Sequence, residues 1–284
     1  MIKKNMLITG ATGFIGRNVA EYFANKENFN VYGTYNKSKP IENKSITMIK
    51  ADLTRTDEVN SLINNMDVIV QAAATTSGAK DTFEKPYYHV TDNVVMNSLI
   101  FRSANLNNVS HVIFFSCSVM YRSSDKPLKE TAFNPSEKLV DKYFGVAKTK
   151  LYIEDMCDFY SRIGNTKFTA IRHSNIYGPY DKFDLERSHV FGATVTKVLT
   201  AKDNKITIWG TGEEERDLLY ISDLVDFVEH AINNQTTKFG LYNVGYGESI
   251  SINDLVKKII EHSGKNLSIE HDLTKPTIPT KFCL

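Results

Sequence analysis

Short apolar runs and stretches of helical spacing take turns along the first 172 residues of the chain. Asn5–Thr9, Asn30–Tyr35, Ile46–Lys50, Asp67–Ala73, His111–Ser116 and Lys167–Arg172 are runs of strand length, several rich in β-branched and aromatic residues. Between them, Phe14–Lys26 carries Ile15, Val19, Tyr22 and Phe23 at the three- and four-residue spacing of one helix face. Thr54–Asn64, His89–Leu106 and Lys142–Arg162 read as further helices, with Thr54 or Thr56 as the N-cap of the first of them. Strands alternating with helices predict an α/β fold with a doubly wound parallel sheet covered on both faces.

Beyond Arg172 the rhythm loosens. Pro179 and the charged stretch Asp181–Ser188 predict a loop that leaves the sheet. Ile206–Trp209 and Asp217–Ile221 predict short strands, Ser222 or Asp223 would cap a helix over Leu224–Asn233, and Leu241–Val244 would return to the main sheet. The expected division is a main domain over 1–172 plus about 221–245, with a smaller, interleaved substrate-binding lobe over about 173–220 and 246–284.

Composition narrows the function classes. Hydrophobic residues are 42% of 284, enough for a sizeable core. A formal net charge of +1 supplies no general field for nucleic acid or an anionic membrane, so an anionic ligand needs a local site. Cys117, Cys157 and Cys283 are odd in number and far apart, which offers neither a disulfide framework nor CxxC metal spacing. A cytoplasmic protein without a metal is expected. No apolar run approaches the roughly 20 residues that span a bilayer. The opening Met1–Gly10 faintly resembles a signal peptide, but its glycine break suits a strand and turn better.

The candidate chemistry begins at Gly10-Ala11-Thr12-Gly13-Phe14-Ile15-Gly16, which follows a strand and opens a helix. The first glycine permits a tight turn, the second lets backbone approach a pyrophosphate, and the third lets helix and strand pack closely. The helix start then offers free N–H groups to the phosphates. This predicts a Rossmann-type dinucleotide site. An acidic residue usually ends the second strand and grips the ribose of NAD. Here Thr34–Lys39 contains none, and Asn36, Lys37 and Ser38, with Lys39, suit a 2′-phosphate. NADP is therefore expected, with NAD as the alternative. The same lysines also suit an ordinary solvated loop.

Further motifs occur in a telling order: Asp52-Leu53, Ala72-Ala73-Ala74, and Asn175-Ile176-Tyr177-Gly178-Pro179. With the glycine turn they resemble the extended short-chain dehydrogenase/reductase (NAD-dependent epimerase/dehydratase) family. Ser188-His189-Val190, Trp209-Gly210-Thr211-Gly212, and Arg216-Asp217 followed by Tyr220-Ile221-Ser222-Asp223 resemble its GDP-L-fucose synthase branch. The resemblance implies that Asp52 and Leu53 flank an adenine and that Ala72, Ala73 and Ala74 line the cofactor. It also brings His173 and Ile176 to the nicotinamide end, makes His189 an acid/base group, and puts Asn175, Lys197, Trp209 and Arg216 on the sugar nucleotide. Arg216 can fork onto a diphosphate, Lys197 can supply a point charge, and Trp209 can offer a face or an N–H. Read without the resemblance, Trp209 suits a core, Arg216 suits pairing with Glu213, Glu214 or Asp217, His189 suits a helix start, and Asp223 suits an N-cap.

The resemblance also implies a tyrosine, a lysine four residues later, and a Ser or Thr at the end of the fifth strand. The tyrosine moves a proton at the sugar oxygen, while the lysine holds the nicotinamide ribose and lowers the tyrosine's pKa. Counting back four from Lys148 lands on Phe144, which has no hydroxyl. Tyr143 is adjacent but about 100° round an ideal helix. Three accounts stay open: Phe144 as an introduced, inactivating substitution, use of Tyr143 through a distorted helix, or loss of the standard chemistry. At the strand end the usual Ser/Thr position holds Cys117, so the expected hydroxyl is that of Ser118. Cys117, in the substrate site, suits a nucleophile or, better, a small buried thiol. Val119 stands where the branch carries an epimerisation cysteine, which favours reduction without double epimerisation.

These readings converge on an NADP-dependent oxidoreductase that reduces the 4-keto group of a nucleotide-linked, GDP-type deoxysugar. The alternatives are an NAD-dependent nucleotide-sugar 4-epimerase or dehydrogenase, and a catalytically impaired binding protein. The expected partners are a nucleotide sugar and a second copy of the chain, with neither nucleic acid nor membrane. Relatives, as the resemblance implies, pair through the helices matching His89–Leu106 and Tyr143–Arg162, whose apolar residues packing on the sheet explains equally well. They also continue past Lys275–Leu284 into a last helix, which implies truncation here.

Overall fold

The computed structural model describes residues 3–75, 86–185, 188–275, 277, 280, 281, 283 and 284. Seven strands form its main sheet: β1 (Lys4–Thr9), β2 (Phe29–Tyr35), β3 (Ile46–Lys50), β4 (Val68–Gln71), β5 (His111–Phe115), β6 (Lys167–His173) and β10 (Phe239–Val244). Their order is β10-β6-β5-β4-β1-β2-β3, and every neighbouring pair is parallel. The winding direction reverses between β1 and β4. In such sheets the crevice outside the carboxyl ends of the strands at that switch point is where ligands bind.

The strands read as near-continuous apolar runs because both faces are covered. Met6 and Ile8 of β1 join a core with Val19 and Phe23 of α1 (Phe14–Ala24) and with Leu224 and Val228 of α6 (Ile221–Asn234). Leu7, between them, faces the other way. It joins Ile69, Phe114 and residues of three helices, including Leu62 of α2 (Thr56–Ile63), Phe101 of α3 (Thr91–Leu106) and Ile153 of α4 (Phe144–Ile163).

Two helix starts differ from expectation. The N-cap of α2 is Arg55, because Asp52 captures Thr54 instead, accepting from its backbone N–H (3.0 Å) and its hydroxyl (2.7 Å). β9 (Glu215–Tyr220) runs straight into α6, so Tyr220 is the cap and Ser222 and Asp223 lie inside the first turn.

After β6 the chain builds two small sheets. One has the order β11-β9-β7, from β7 (Asn175–Tyr177), β9 and β11 (Ser249–Ser251); the other pairs β8 (Lys205–Trp209) with β12 (Ser268–Asp272). Val198 of α5 (Val190–Thr200), Ile206, Ile208, and Ile252 and Val256 of α7 (Ile252–Ser263) form their own core. The sequence reading missed β7, β11 and β12, as well as α5 and α7. β7 and β11 are too short to show a period of two. The spacing of Ile252, Leu255, Val256, Ile259 and Ile260 carried the signal for α7, with Ser251 as cap and Gly264 at φ +68° as stop. Buried Asp217 ties this region together, accepting from the backbone N–H groups of Tyr246 (2.9 Å), Gly247 (3.2 Å) and Leu284 (3.1 Å). Among the described residues no helix is long and apolar enough to cross a membrane.

Candidate active site

The glycine turn sits where β1 meets α1, at the switch point. Gly10 has φ +62°, and a Cβ there would lie 2.7 Å from the Cα of Ala73. A Cβ on Gly16 would lie 2.3 Å from the carbonyl oxygen of Gly10. Backbone therefore occupies the space that side chains would need. Gly10 N–H is held by the hydroxyl of Thr34 (2.9 Å). Gly13 is the N-cap of α1 and brings no side chain to cap it, so the helix start beside Thr12, Phe14 and Ile15 is open to an anion. These observations fit a dinucleotide's pyrophosphate.

The other expected cofactor residues surround this turn. Ala72 and Ala73 pack on opposite cores, Ala74 is exposed, and Leu53 is buried. Asn36, Lys37 and Ser38 are exposed just past the end of β2. The Asp52 carboxyl is held below its usual range, first by the two hydrogen bonds from Thr54 and also by the nearby charges of Arg55 and Lys37. Lys37 therefore stands near Asp52, at the carboxyl ends of β2 and β3.

The helix bearing the expected tyrosine–lysine pair has a different phase from the one read in the sequence. Lys148 and Phe144 lie at the surface, with Phe144 56% exposed. Lys150 points inward instead: its ammonium donates to the carbonyl oxygen of Phe115 at the end of β5 (2.6 Å) and lies 4.7 Å from the Phe114 ring centroid. Burial lowers its pKa, opposed by the nearby Cys117 and Glu154. One turn before Lys150 stands Val146, and two turns before it stands Tyr143. Seven residues make almost two full turns, so Tyr143 approaches the phase of Lys150. Measured from Lys150, the tyrosine is displaced along the helix rather than round it.

Tyr143 lines a cleft with Ser118, Val119, Tyr121, Val140, Asn175, Glu215, Arg216 and Thr280. Four elements meet there: the end of β5, the start of α4, β7 and β9. Burial pushes the Tyr143 hydroxyl up in pKa, while the positive charge of Arg216 pulls it back. Burial lowers Arg216 in turn, and Tyr143 and Glu214 oppose that. The Arg216 guanidinium donates to Glu215 O and Thr280 Oγ1, both at 2.7 Å. Ser118 is buried, and its carbonyl accepts from Tyr121 N–H in a tight turn. Ser116, on the other side of Cys117, is committed to Glu154 Oε1 (2.5 Å). The Cys117 thiol is raised by burial, with Lys150 opposing, and it lies near enough to Tyr143 to influence it.

His173 bonds through Nδ1 to Ser174 O (2.7 Å), and burial drives its pKa down to about 4, so it is neutral near pH 7. His189 is the N-cap of α5, crowded by protein yet open on one side. That crowding lowers its pKa, and Asp181 opposes the fall. Ile176 is core, packed with the α1 and α6 cluster. Lys197 and Trp209 are absent from the cleft wall: Lys197 donates to Thr207 O (2.9 Å), and Trp209 ends β8, 44% exposed. Sequence reasoning missed Lys150 and Asp181. For Lys150 the signal was Glu154, four residues on, a charge that α4 buries. Among the described residues no group of three metal-binding side chains is arranged to hold an ion.

The chain is similar to known proteins along most of its length. It is 27% identical over 278 residues to the GDP-L-colitose synthase of Yersinia pseudotuberculosis, covering 95% of this chain and 86% of that one. It is 26% identical over 284 residues to the GDP-L-fucose synthase of Azorhizobium caulinodans, covering 96% and 85%. The crystal structure of UDP-glucose 4-epimerase from Thermotoga maritima, with UDP-glucose, superposes with a TM-score of 0.87 at 20% identity, covering 99% of this chain and 89% of that one; the likeness establishes the fold. The profile of the NAD dependent epimerase/dehydratase family matches residues 6–245.

Proposed function

Because the chain belongs to the NAD dependent epimerase/dehydratase family, we propose that it is an NADP-dependent oxidoreductase that reduces the 4-keto group of a GDP-linked deoxysugar. The observation that carries this reading is the cleft where Tyr143 and Ser118 meet Arg216, beside the inward-pointing Lys150. The names of the similar GDP-sugar synthases support the substrate class.

In this reading the backbone of Gly10, Gly13 and Gly16 takes the pyrophosphate, and Asn36, Lys37 and Ser38 take a 2′-phosphate. The bound cofactor would supply hydride to the sugar carbon. Lys150 turns its ammonium from Phe115 O to the ribose, replacing Lys148 in the role first assigned to it. Ser118 donates a hydrogen bond to the keto oxygen, and Tyr143 delivers the proton that completes the alcohol. Arg216 favours the resulting phenolate, since it already offsets part of what burial does to Tyr143. Residues 173–220 and 246–284 form the sugar-nucleotide side of the cleft. Two copies pair through α3 and α4, whose outer faces expose Leu106 on α3 and Tyr152, Phe159 and Ile163 on α4.

The test is the loss of NADPH absorbance on adding GDP-4-keto-6-deoxymannose. If no 4-keto sugar nucleotide oxidises NADPH, the proposal fails. Val146, one turn from Lys150 where a tyrosine would face it, favours a second reading in which the protein binds without turnover. Val146→Tyr separates the two: NADPH binding with no activity in either form supports the binding protein.

A further inference from the structure

The segment 178–183 bridges the helix that opens the cofactor turn and the helix capped by His189. On one side, Asn18 of α1 donates to Pro179 O (2.9 Å), and the Arg17 guanidinium lies 3.8 Å from the Tyr180 ring centroid. On the other, Ser188 Oγ donates to Lys182 O (2.5 Å) and Thr196 Oγ1 donates to Phe183 O (2.6 Å). Gly192 completes the fit, since a Cβ there would lie 2.4 Å from Lys182 O. The turn between these anchors uses positive φ at Gly178 (+146°) and Tyr180 (+69°). A non-glycine residue at such a φ costs conformational energy that the surrounding contacts must offset.

What this turn presents is Asp181. Its Oδ1 accepts from Lys182 N–H (2.7 Å), while its Oδ2 is buried with no hydrogen-bond partner. A buried carboxylate oxygen without a donor is costly and calls for a partner. Among the described residues, the titratable and charged groups that influence His189 are Asp181 and Lys182, from the segment packed on α5; His189 in turn bears on His173 at the end of β6. Asp181 is the one of them that stabilises an imidazolium.

We propose that Asp181 is the positioning residue for His189: its buried Oδ2 takes the imidazole N–H and holds the ring for proton exchange with a sugar carbon flanking the keto group. The role of His189 rests on the reductase reading above; its electrostatic dependence on Asp181 does not. In the exchange the C–H bond breaks, its electron pair enters the enolate of the ketone, and the proton forms an imidazolium beside Asp181. Return of a proton from that imidazolium, re-equilibrated with solvent, restores the ketone. A carboxylate behind the ring fixes its tautomer and stabilises the charged form. The anchors on Asn18 and Arg17 give the pair a mechanical link to the cofactor helix.

The experiment uses the protein with NADP⁺ added and histidine rings labelled for NMR, with the His189 signal assigned by its loss in His189→Gln. Asp181→Asn is expected to lower the His189 pKa by about one pH unit, and Asp181→Glu to hold it near the wild-type value. With GDP-4-keto-6-deoxymannose in D₂O, Asp181→Asn is expected to cut deuterium incorporation at least ~10-fold, with NADPH affinity within about twofold of wild type. An unchanged His189 titration in Asp181→Asn overturns the proposal, and so does unchanged exchange. If the titration moves but wild-type protein neither exchanges nor oxidises NADPH with any 4-keto sugar nucleotide, the sugar reading falls and the positioning role stands.

Discussion

Arg172 closes a fork on Glu154 inside the protein, with Nη2 2.6 Å from Oε2, Nε 3.0 Å from Oε1, and the two side chains 4% and 5% exposed. Burial works against the arginine's charge, yet the hydrogen bonds and charge of Glu154 outweigh it and raise its pKa. Ser116 also donates to Glu154, while Arg172 reaches Tyr121 OH (2.9 Å), which donates to Asn243 (2.8 Å). Glu154 lies one turn after Lys150, so this pair fixes which face of α4 meets the sheet. Removing one partner leaves a buried charge alone. Glu154→Ala should cost about 3–5 kcal/mol, read as a lower urea midpoint. Replacing both residues by apolar ones of similar size should cost less than the single substitution.

The helix phase separates two lysines that are two positions apart. Lys150→Met should lower NADPH-dependent turnover by about 100-fold, whereas Lys148→Met should leave it within about twofold. Steady-state kinetics on both variants checks this. The reverse order would return the role to Lys148 and contradict the burial of Lys150.

Gly16 has no room for a side chain, since its Cβ would meet the Gly10 carbonyl at 2.3 Å. Gly16→Ala must open the turn and misdirect the N–H groups at the helix start. The expected loss is about 1–3 kcal/mol of dinucleotide affinity, roughly 5- to 150-fold. Calorimetric titration with NADPH measures it, and circular dichroism shows whether the fold persists.

His111 is buried at the start of β5, bonded to Thr169 (2.7 Å), and its pKa is pushed down to about 4 by burial first and by Lys167 and Lys4 next. The folded state resists protonation here, while the unfolded chain takes up a proton near pH 6.5. Stability is therefore fully present above pH 6.5, falls as the pH drops towards 4, and gains no further loss from this group below that. The contribution is at most on the order of 3 kcal/mol. Urea midpoints between pH 7 and 4 should fall less steeply for His111→Asn than for the wild type.

Tyr152, Phe159 and Ile163 are spaced seven and four residues apart along α4, and all are exposed, at 44%, 51% and 57%. An apolar stripe in that position is the surface through which the proposed pairing would run. Light scattering should give the mass of a dimer for the wild type and of a monomer for Tyr152→Lys with Phe159→Glu. A wild-type monomer would remove the proposed pairing.

Much of the fold was present in the chain's own pattern. β-rich runs and helical spacing mark six parallel strands because residues buried on both faces must be apolar nearly without break, as in Val68–Gln71. The glycine turn was equally legible, since Gly10 and Gly16 occupy places where any Cβ meets backbone. The face of α4 was not legible. That helix buries Thr149, Glu154 and Ser161 while exposing Phe144, Tyr152 and Phe159, so its polarity runs against its burial and points a reader to Lys148. The pairing of Glu154 with Arg172, 18 residues away on β6, together with the burial of Ala147, Ile153 and Cys157, turns Lys150 inward. The proposed pairing of Asp181 with His189 was equally hidden, because the two residues do not share an element. Periodicity reports which residues share a face of one element; which charges meet across elements is decided by how those elements pack, and no local pattern encodes it.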